Sequence, residues 1–404
     1  MRKFLSCFIL SVLLSFVISP FALSFSSSSF VWSEDFSTVE TSVNEPTNLE
    51  LVAESAILIE QSSGKILYEK NSHEQLRPAS VTKVMSILLI MEALDSGKIS
   101  LTDKVPCSEK ASKMGGSQIW LDPRETLTVD EMLRAICIAS ANDCTVAMAE
   151  YLTGSEEAFV EKMNEKAKEL GMNDTTFKNC HGLDVDGHLT SSNDIALMSK
   201  ELLSKHSSVT KYTSTWMDTL RDGKSQLVNT NKLIRNYKGI TGLKTGSTSL
   251  ALYNLSASAT RDNLSLIAVV MKAPTPKDRF ADAQKLLDYG FNNYSYTKFA
   301  TKNDIVKSID VTKGVKTSIN IVYETDSGCL LEKNSNKNIE QIVTIPDNVF
   351  APIQKGQKIG EISYVLNGET LSLVSVVADE DVKKINLSSM FERIFFSWFK
   401  LLRD

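Results

Sequence analysis

The sequence predicts an α+β fold, in which one antiparallel sheet packs against a block of helices and a small all-β domain follows. Apolar, strand-like segments near residues 55–68 and 252–271 enclose a long segment with helical periodicity. After residue 300 the apolar side chains alternate with period two, which is typical of β-strands. Strands on both sides of a helical block indicate a single sheet, assembled from both ends of residues 49–300.

The first elements lead into a buried helix. Residues 55–60 predict a strand, and residues 66–68 predict its hairpin partner. Pro78 suits the first turn of a helix, and Gly97 suits its end. Between them, residues 81–94 are apolar on nearly every face, and such a helix is buried in the protein core.

The helical block continues beyond this helix. Thr128 predicts an N-cap, and Glu131 completes a capping box. Residues 140–143 interrupt the helix, because Ser, Asn and Asp favour caps and turns over helix interiors. The remaining elements are helices at residues 144–152, 156–170 and 194–204, strands at 252–259 and 264–271, and a last helix at 278–289 that ends at Gly290.

The composition and the N-terminus indicate an exported protein. The net charge of −5 over 404 residues gives no electrostatic reason to expect a nucleic-acid partner. Arg2 and Lys3 precede an apolar run, which is the pattern of a secretory signal peptide. We assign residues 1–24 to this signal and the Ser-rich residues 25–48 to a linker, and we expect the mature protein at the outer face of a bacterial cytoplasmic membrane. An uncleaved anchor is the alternative.

The cysteine pattern does not indicate a disulfide framework or a metal site. Removal of the signal leaves an odd number of cysteines, namely Cys107, Cys137, Cys144, Cys180 and Cys329. We expect most of them to be buried as small hydrophobic residues. No pair has the spacing of metal ligands, so the sequence predicts neither a metal nor another cofactor.

The C-terminal part combines the β domain with an amphipathic segment. Residues 301–384 carry the period-two alternation, and Asn367-Gly368 between two apolar runs is a strong hairpin signal. In residues 385–404, apolar and aromatic side chains share one helical face, and charged side chains lie opposite. Such a helix fits a membrane interface. A helix packed on its own β domain is the alternative.

Three short polar motifs follow one another along the chain. They are Ser80-x-x-Lys83 at the buried helix, Ser140-x-Asn142 at the helix interruption, and Lys244-Thr245-Gly246 near the last strands. Each is uninformative alone, since Ser80 and Lys83 could be a helix-start serine and an exposed lysine. Together and in this order they are the signature of β-lactamases and penicillin-binding proteins.

The residue types suit acyl transfer. A serine hydroxyl is a weak nucleophile that needs an adjacent base, and Lys83 can be that base only when it is neutral. Burial and the second cation, Lys244, would both lower the pKa of Lys83. Ser140 could relay a proton to a leaving amine, and Asn142 could hold a substrate amide or orient Lys83. Lys244 and Thr245 suit a substrate carboxylate.

The chain resembles the D-alanyl-D-alanine carboxypeptidases among the low-molecular-mass penicillin-binding proteins. The resemblance covers residues 54–294 and extends to residues 351–360 in the β domain. The stretches that carry it are residues 77–83, 116–118, 140–143, 177–183, 242–248 and 286–291. It implies a transpeptidase domain of the β-lactamase and penicillin-binding-protein type. Thr241 and Ser247 depart from the residues that are frequent in the family at these positions.

The resemblance also implies roles for residues near the third motif. It places an oxyanion hole at the backbone N–H groups of Ser80 and Ser247, while Gly246 allows the backbone to approach a ligand closely. Arg279 is expected to add a guanidinium for the terminal carboxylate. His181 and Asp194 also match family motifs. Because no acid–base step is left unassigned, we expect His181 to hold the loop near the site and Asp194 to cap its helix.

The resulting prediction is a serine D-Ala-D-Ala carboxypeptidase. It would remove the terminal D-alanine of peptidoglycan stem pentapeptides through an acyl-enzyme on Ser80, and β-lactam antibiotics would acylate the same serine. The expected partners are therefore the stem peptide, β-lactams and, through the C-terminal helix, the membrane surface. One alternative is a β-lactamase of the same fold, although Glu165 and Glu169 lie in a helical segment unsuited to deacylation. The other is a non-catalytic, wall-binding surface protein.

Overall fold

The structure of the protein is a computed structural model that describes residues 49–333, 338–388, and 390, 391, 394 and 395. The predicted signal peptide and linker lie outside the described residues. The strands are β1 (Ser55–Glu60), β2 (Ile66–Lys70), β3 (Lys104–Pro106), β4 (Thr126–Thr128), β5 (Met217–Leu220), β6 (Ser225–Val228), β7 (Ile240–Thr248), β8 (Leu252–Arg261), β9 (Leu264–Ala273), β10 (Tyr294–Ala300), β11 (Ile305–Thr312), β12 (Ser318–Tyr323), β13 (Ser327–Glu332), β14 (Ile339–Thr344), β15 (Asn348–Phe350), β16 (Lys358–Leu366) and β17 (Glu369–Ala378). The helices are α1 (Lys83–Asp95), α2 (Glu109–Ser112), α3 (Val129–Arg134), α4 (Asn142–Thr153), α5 (Glu156–Glu169), α6 (Ser192–Lys205), α7 (Thr210–Thr213), α8 (Leu233–Asn236) and α9 (Pro276–Asn293).

The central sheet has five antiparallel strands in the order β2-β1-β9-β8-β7. Because β1 pairs with β9, the prediction that both ends of the segment supply the sheet is confirmed. Successive side chains of a strand point to opposite faces. Ile57 and Ile59 therefore pack with the helical block, whereas Ala56 and Leu58 pack with α9 on the other face. In this sheet β7 is an edge strand that borders the helical block.

The helix α1 is the centre of the helical block. The chain first makes a 3₁₀ turn over Ala79–Thr82, and the α-helix begins at Lys83. Nearly every side chain of α1 is buried, as its apolar sequence predicts, and the helix packs against α4, α5 and α6. Gly97 follows its end with a φ of 71°. This packing places the start of α1, and with it Lys83, inside the protein.

Helix α9 is longer than the sequence predicts. We expected it to end at Gly290, but it continues to Asn293. A Cβ at Gly290 would lie 2.5 Å from Cδ1 of Leu266 and 3.0 Å from Cδ2 of Leu58. The glycine therefore serves the close approach of α9 to the sheet and does not end the helix.

The helix caps agree with the sequence at two positions and differ at one. Thr128 caps α3, and Glu131 completes the predicted capping box. Ser155, the residue before the helix predicted at residues 156–170, is the N-cap of α5. The prediction that Asp194 caps its helix is wrong, because Ser191 is the N-cap of α6 and accepts from the backbone N–H of Asp194. The carboxylate of Asp194 instead accepts hydrogen bonds from residues 174 and 175 in the preceding loop.

The C-terminal domain is built on a six-stranded sheet in the order β14-β16-β17-β12-β11-β15. Asn367 and Gly368 have φ angles of 51° and 84°, which confirms the predicted hairpin between β16 and β17. The predicted amphipathic helix lies largely outside the described residues. Its described residues from 387 onwards are helical and exposed. No helix in the described part of the chain is both long and apolar enough to span a membrane.

The cysteines in the described part of the chain are free thiols. Cys107, Cys137, Cys144 and Cys180 are buried, as the sequence predicts, and Cys329 is half-buried. Burial raises the pKa of the Cys137 thiol to about 12. Within the ranges that the structure describes, no three His, Cys, Asp or Glu side chains are grouped to hold a metal ion.

Candidate active site

The three polar motifs meet where the start of α1, the start of α4 and the edge strand β7 come together. Lys83 Nζ lies 3.0 Å from Ser80 Oγ and 2.5 Å from Asn142 Oδ1. Lys244 Nζ lies 2.8 Å from Ser140 Oγ. These contacts join residues 59 and 104 positions apart in the chain. The structure therefore brings together the serine, the lysine and the amide that the sequence predicts.

The contacts of Lys83 suit the predicted role of a base for Ser80. Besides Ser80, its Nζ contacts Asn142 Oδ1 and, at 2.7 Å, the carbonyl oxygen of His181. Both of these oxygens can only accept hydrogen bonds. A neutral amine has two N–H bonds and one lone pair, so it donates to these two oxygens and its lone pair faces Ser80. The hydroxyl of Ser80 is then the donor, which is the arrangement a nucleophile and its base require.

Burial keeps Lys83 in the form that this geometry needs. Lys83 is completely buried, and its desolvation together with the ammonium of Lys244 holds the pKa of Lys83 well below its usual value. Burial also lowers the pKa of Lys244 to about 7, and Arg279 acts in the same direction. Two ammonium groups in one buried site repel each other, so the pair titrates as a coupled unit. We assign the neutral amine to Lys83, because burial and the neighbouring Lys244 both disfavour its charged form.

Ser140 reaches the site through an unusual backbone conformation. A π-helical turn over Ala135–Ala139 precedes it, and Ser140 has a φ of 64° and a ψ of 32°. Left-handed conformations are uncommon in residues other than glycine and occur often at functional sites. Here the conformation ends one helix and lets the side chain of Ser140 accept a hydrogen bond from Lys244.

Asn142 is fixed by a loop that crosses the site. Its Nδ2 donates to the carbonyl oxygen of Gly115 at 2.7 Å, which leaves Oδ1 for Lys83. Its backbone N–H donates to the carbonyl oxygen of Ser117 at 2.7 Å. The buried carboxylate of the next residue, Asp143, accepts from the backbone N–H of Ile119 and Leu121. The orientation of Asn142 is therefore built into the fold.

The third motif lies directly against the turn that carries Ser80. A Cβ at Gly246 would lie 2.7 Å from the carbonyl oxygen of Pro78 and 2.9 Å from the backbone nitrogen of Ser80. Only glycine permits this approach of β7. Thr245 Oγ1 donates to Thr230 Oγ1 at 2.6 Å. Ser247 is exposed on the edge of β7, where its backbone N–H can complete a pair of donors with that of Ser80.

Arg279 contacts the backbone of the site. Its Nη1 donates to the carbonyl oxygens of Gly246 and Asn254, both at 3.3 Å, and the guanidinium lies 4.5 Å from the ring centroid of Phe280. Burial lowers the pKa of Arg279 to about 10. The residue thus supports β7 beside Gly246. Binding of a substrate carboxylate by Arg279 stays a prediction.

Glu156 lies near the site, although no motif in the sequence indicates it. Its carboxylate lies 3.3 Å from His181 Nε2 and 3.0 Å from Lys110 Nζ, and it accepts from the backbone N–H of Cys180. Although burial disfavours the carboxylate, hydrogen bonds from His181 and Lys110 lower the pKa of Glu156 to about 2. The carboxylate therefore holds the loop whose carbonyl oxygen contacts Lys83. The loop-holding role predicted for His181 agrees with these contacts.

The two departures from the family pattern leave the contacts of Lys83 intact. Thr241 Oγ1 lies 2.7 Å from Ser258 Oγ, and its carbonyl oxygen accepts from Thr213 Oγ1. Glu165 and Glu169, the two carboxylates considered for deacylation, are exposed on α5.

The groups at the site define a class of protein, the serine enzymes that transfer acyl groups with lysine as the base.

Comparison with known proteins gives the family. The family model described as D-alanyl-D-alanine carboxypeptidase matches residues 40–275, and that described as penicillin-binding protein 5, C-terminal domain, matches residues 294–384. The chain therefore belongs to the D-alanyl-D-alanine carboxypeptidase family. This membership confirms the resemblance, the α+β fold with its C-terminal β domain, and the prediction of a serine-type carboxypeptidase among the low-molecular-mass penicillin-binding proteins.

Individual relatives and solved structures agree with this family membership. The chain is 49% identical to D-alanyl-D-alanine carboxypeptidase DacF of Bacillus subtilis (strain 168), over 86% of this chain and 90% of the relative. It is 32% identical to D-alanyl-D-alanine carboxypeptidase DacC of Escherichia coli (strain K12), with the same coverage of 86% and 90%. Penicillin-binding protein 5 of Haemophilus influenzae superposes with a TM-score of 0.66 at 32% identity, over 83% of this chain and 98% of that one. The ampicillin-bound form of penicillin-binding protein D2 from Listeria monocytogenes gives 0.56 at 33% identity, over 60% and 99%.

Proposed function

We propose that the protein removes the terminal D-alanine from peptidoglycan stem pentapeptides through an acyl-enzyme on Ser80. The observation that carries the proposal is the contact of the buried Lys83 Nζ with Ser80 Oγ at 3.0 Å. When Lys83 is neutral, its two N–H groups donate to Asn142 Oδ1 and the carbonyl oxygen of His181, and its lone pair faces Ser80. Lys83 removes the proton as Ser80 Oγ attacks the carbonyl carbon of the penultimate D-alanine. The backbone N–H groups of Ser80 and Ser247 stabilise the developing oxyanion.

The leaving group departs as free D-alanine. Its amine needs a proton, and Ser140, which is hydrogen-bonded to Lys244, delivers the proton taken up by Lys83. Water then attacks the acyl-enzyme with Lys83 again as the base, and the shortened stem peptide is released. Lys244, with Thr245, holds the terminal carboxylate, which favours the protonated form of Lys244. Because Arg279 supports the carbonyl oxygen of Gly246, we assign it an indirect role beside this carboxylate.

β-Lactam antibiotics acylate the same serine in this proposal. Structures of penicillin-binding protein D2 from Listeria monocytogenes exist in ampicillin-bound and cefotaxime-bound forms. A β-lactam carbonyl would occupy the position of the penultimate D-alanine carbonyl, and its ester with Ser80 would hydrolyse slowly. A β-lactamase is less well supported, because Glu165 and Glu169 lie on the exposed face of α5. The hydrogen bonds of the buried Glu156 are directed to His181, Lys110 and Cys180.

Release of D-alanine tests the proposal directly. The mature chain is expected to release free D-alanine from a diacetyl-L-lysyl-D-alanyl-D-alanine peptide and to form a covalent adduct with a fluorescent penicillin. Ser80→Ala should abolish both, because among the described residues Ser80 supplies the hydroxyl that contacts Lys83 Nζ. Ser96→Ala, at the other end of α1, is the matched control and should retain both. Persistent labelling of Ser80→Ala would refute the assignment of the nucleophile, and rapid steady-state turnover of penicillin would favour the β-lactamase.

The proposal extends to where the enzyme works. The signal of residues 1–24 and the linker of residues 25–48 would deliver the catalytic domain (residues 49–300) and the β domain (residues 301–384) to the outer face of the cytoplasmic membrane. Residues 385–404 would lie in the membrane interface, supported by exposed apolar side chains such as Leu387 and Phe391. Deletion of residues 387–404 should move the mature protein from the membrane fraction to the soluble fraction. Unchanged sedimentation with membranes would contradict the anchor.

A further inference from the structure

A chain of buried hydrogen bonds ends on the peptide unit that precedes Ser80. Nδ1 of His188 accepts from the backbone N–H of Lys178 at 2.9 Å. Nε2 of the same ring lies 2.8 Å from Oγ1 of Thr82. The hydroxyl of Thr82 donates to the carbonyl oxygen of Ala79 at 2.8 Å. The three residues His188, Thr82 and Ala79 are buried, with relative exposures of 2%, 0% and 1%.

The protonation state of His188 determines which group donates in each of these hydrogen bonds. Burial lowers the pKa of His188 to about 4, and the neighbouring His181, Arg77 and Lys178 act in the same direction. The ring is therefore neutral at physiological pH and carries one proton. Since Nδ1 accepts a hydrogen bond, that proton is on Nε2. His188 thus donates to Thr82, and Thr82 donates its only proton to Ala79.

The peptide unit between Ala79 and Ser80, where this series of hydrogen bonds ends, is held in a constrained conformation. Ala79 has a φ of 49°, a region that residues other than glycine adopt only when their surroundings hold them there. Two glycines also pack against this unit. A Cβ at Gly182 would lie 1.9 Å from the carbonyl oxygen of Ala79, and a Cβ at Gly246 would lie 2.9 Å from the nitrogen of Ser80. The carbonyl of Ala79 and the N–H of Ser80 belong to the same amide, so whatever orients one orients the other.

We propose that Thr82 and His188 are positioning residues that orient and polarise the amide between Ala79 and Ser80, which makes the N–H of Ser80 a better oxyanion donor. The inference rests on the proposed acyl-enzyme at Ser80. A hydrogen bond to an amide carbonyl shifts electron density towards oxygen and strengthens the N–H as a donor, by roughly 10–30% for each bond in a chain. Neither side chain touches the substrate, so both act through the peptide.

Acylation kinetics separate this role from a merely structural one. Loss of a whole oxyanion donor costs about 100- to 1000-fold in rate, so weakening one donor by roughly 10–30% is expected to cost about two- to eightfold. In Thr82→Val the acylation rate constant for penicillin should fall about two- to eightfold, while the dissociation constant of the non-covalent complex stays at the wild-type value. Thr82→Ser keeps the hydroxyl and should restore the rate. Thr213→Val is the matched control, because Thr213 is equally buried and donates to a backbone carbonyl of Thr241.

A double variant tests the connection between the two residues. His188→Gln should slow acylation, and Thr82→Val with His188→Gln should be no slower than Thr82→Val alone, because both changes break the same chain. Wild-type acylation in Thr82→Val, no recovery in Thr82→Ser, or additive losses in the double variant would overturn the proposal. Should Thr82→Val fail to fold, as judged by near-ultraviolet circular dichroism, Thr82→Ala and His188→Gln provide the same comparison. If the wild-type chain neither releases D-alanine nor binds penicillin, the proposed function fails instead.

Discussion

Substitution of Gly182 by alanine should disable the nucleophile without removing any reactive group. Gly182 has a φ of 91°, and a Cβ there would lie 1.9 Å from the carbonyl oxygen of Ala79. To restore a contact of 3.0 Å, the loop or the peptide before Ser80 must move by about 1.1 Å. A misplacement of about 1 Å at a catalytic group can cost about 100-fold in rate, or roughly 2.7 kcal/mol of transition-state stabilisation. The left-handed backbone adds about 1–2 kcal/mol of strain.

The assay is the rate of acylation by a fluorescent penicillin, with the thermal unfolding midpoint measured in parallel. Gly171→Ala is the matched control, because Gly171 has a φ of 73° and no atom lies within 4 Å of its added Cβ. It should lower the melting temperature through backbone strain and leave acylation unchanged. Gly182→Ala should lower the melting temperature and slow acylation about 100-fold. Acylation of a folded Gly182→Ala protein at the wild-type rate would refute the reasoning, and an equal slowing in Gly171→Ala would assign the effect to strain.

Three further predictions concern the charges at the site. Lys83→Arg should abolish acylation, because arginine keeps its proton at any accessible pH; residual acylation would contradict Lys83 as the base. The kcat/KM for D-alanine release should fall on the acid side as Lys83 takes up a proton, and on the alkaline side as Lys244 loses one, with an apparent pKa well below the 10.5 of an ordinary lysine. A profile that rises steadily to pH 10.5 would exclude this assignment. Glu156 has a pKa lowered from 4.5 to about 2, so its contribution to stability is present above pH 4.5 and is lost as the pH falls towards 2. Glu156→Gln should flatten the melting temperature against pH in that window, and an unchanged slope would argue against the pairing with His181.

Much of the fold could be predicted because its signals are local. The apolar sequence of residues 81–94 predicts burial of α1, and the capping box at Thr128 and the Asn367-Gly368 hairpin depend on neighbours within four residues. The end of α9 could not be predicted from Gly290, because the reason for that glycine is contact with Leu58 and Leu266 in the sheet. A glycine signal has the same form in the sequence whether it ends a helix or permits close packing.

The candidate site also has some features that local sequence predicts and others that depend on tertiary contacts. Ser80 and Lys83 are three residues apart, so a single helical turn brings them together, and the order of the three motifs indicates the chemistry. By itself the sequence predicted the nucleophile and its base, and it indicated the family. Only the tertiary structure shows how Lys83 is oriented, since its acceptors include a backbone carbonyl at His181, 98 residues away, and backbone groups have no signature in the sequence. The contacts of Glu156, His188 and Gly182 were decided there too, because they join segments that are far apart in the sequence and lie within 3.3 Å of each other only in the folded chain.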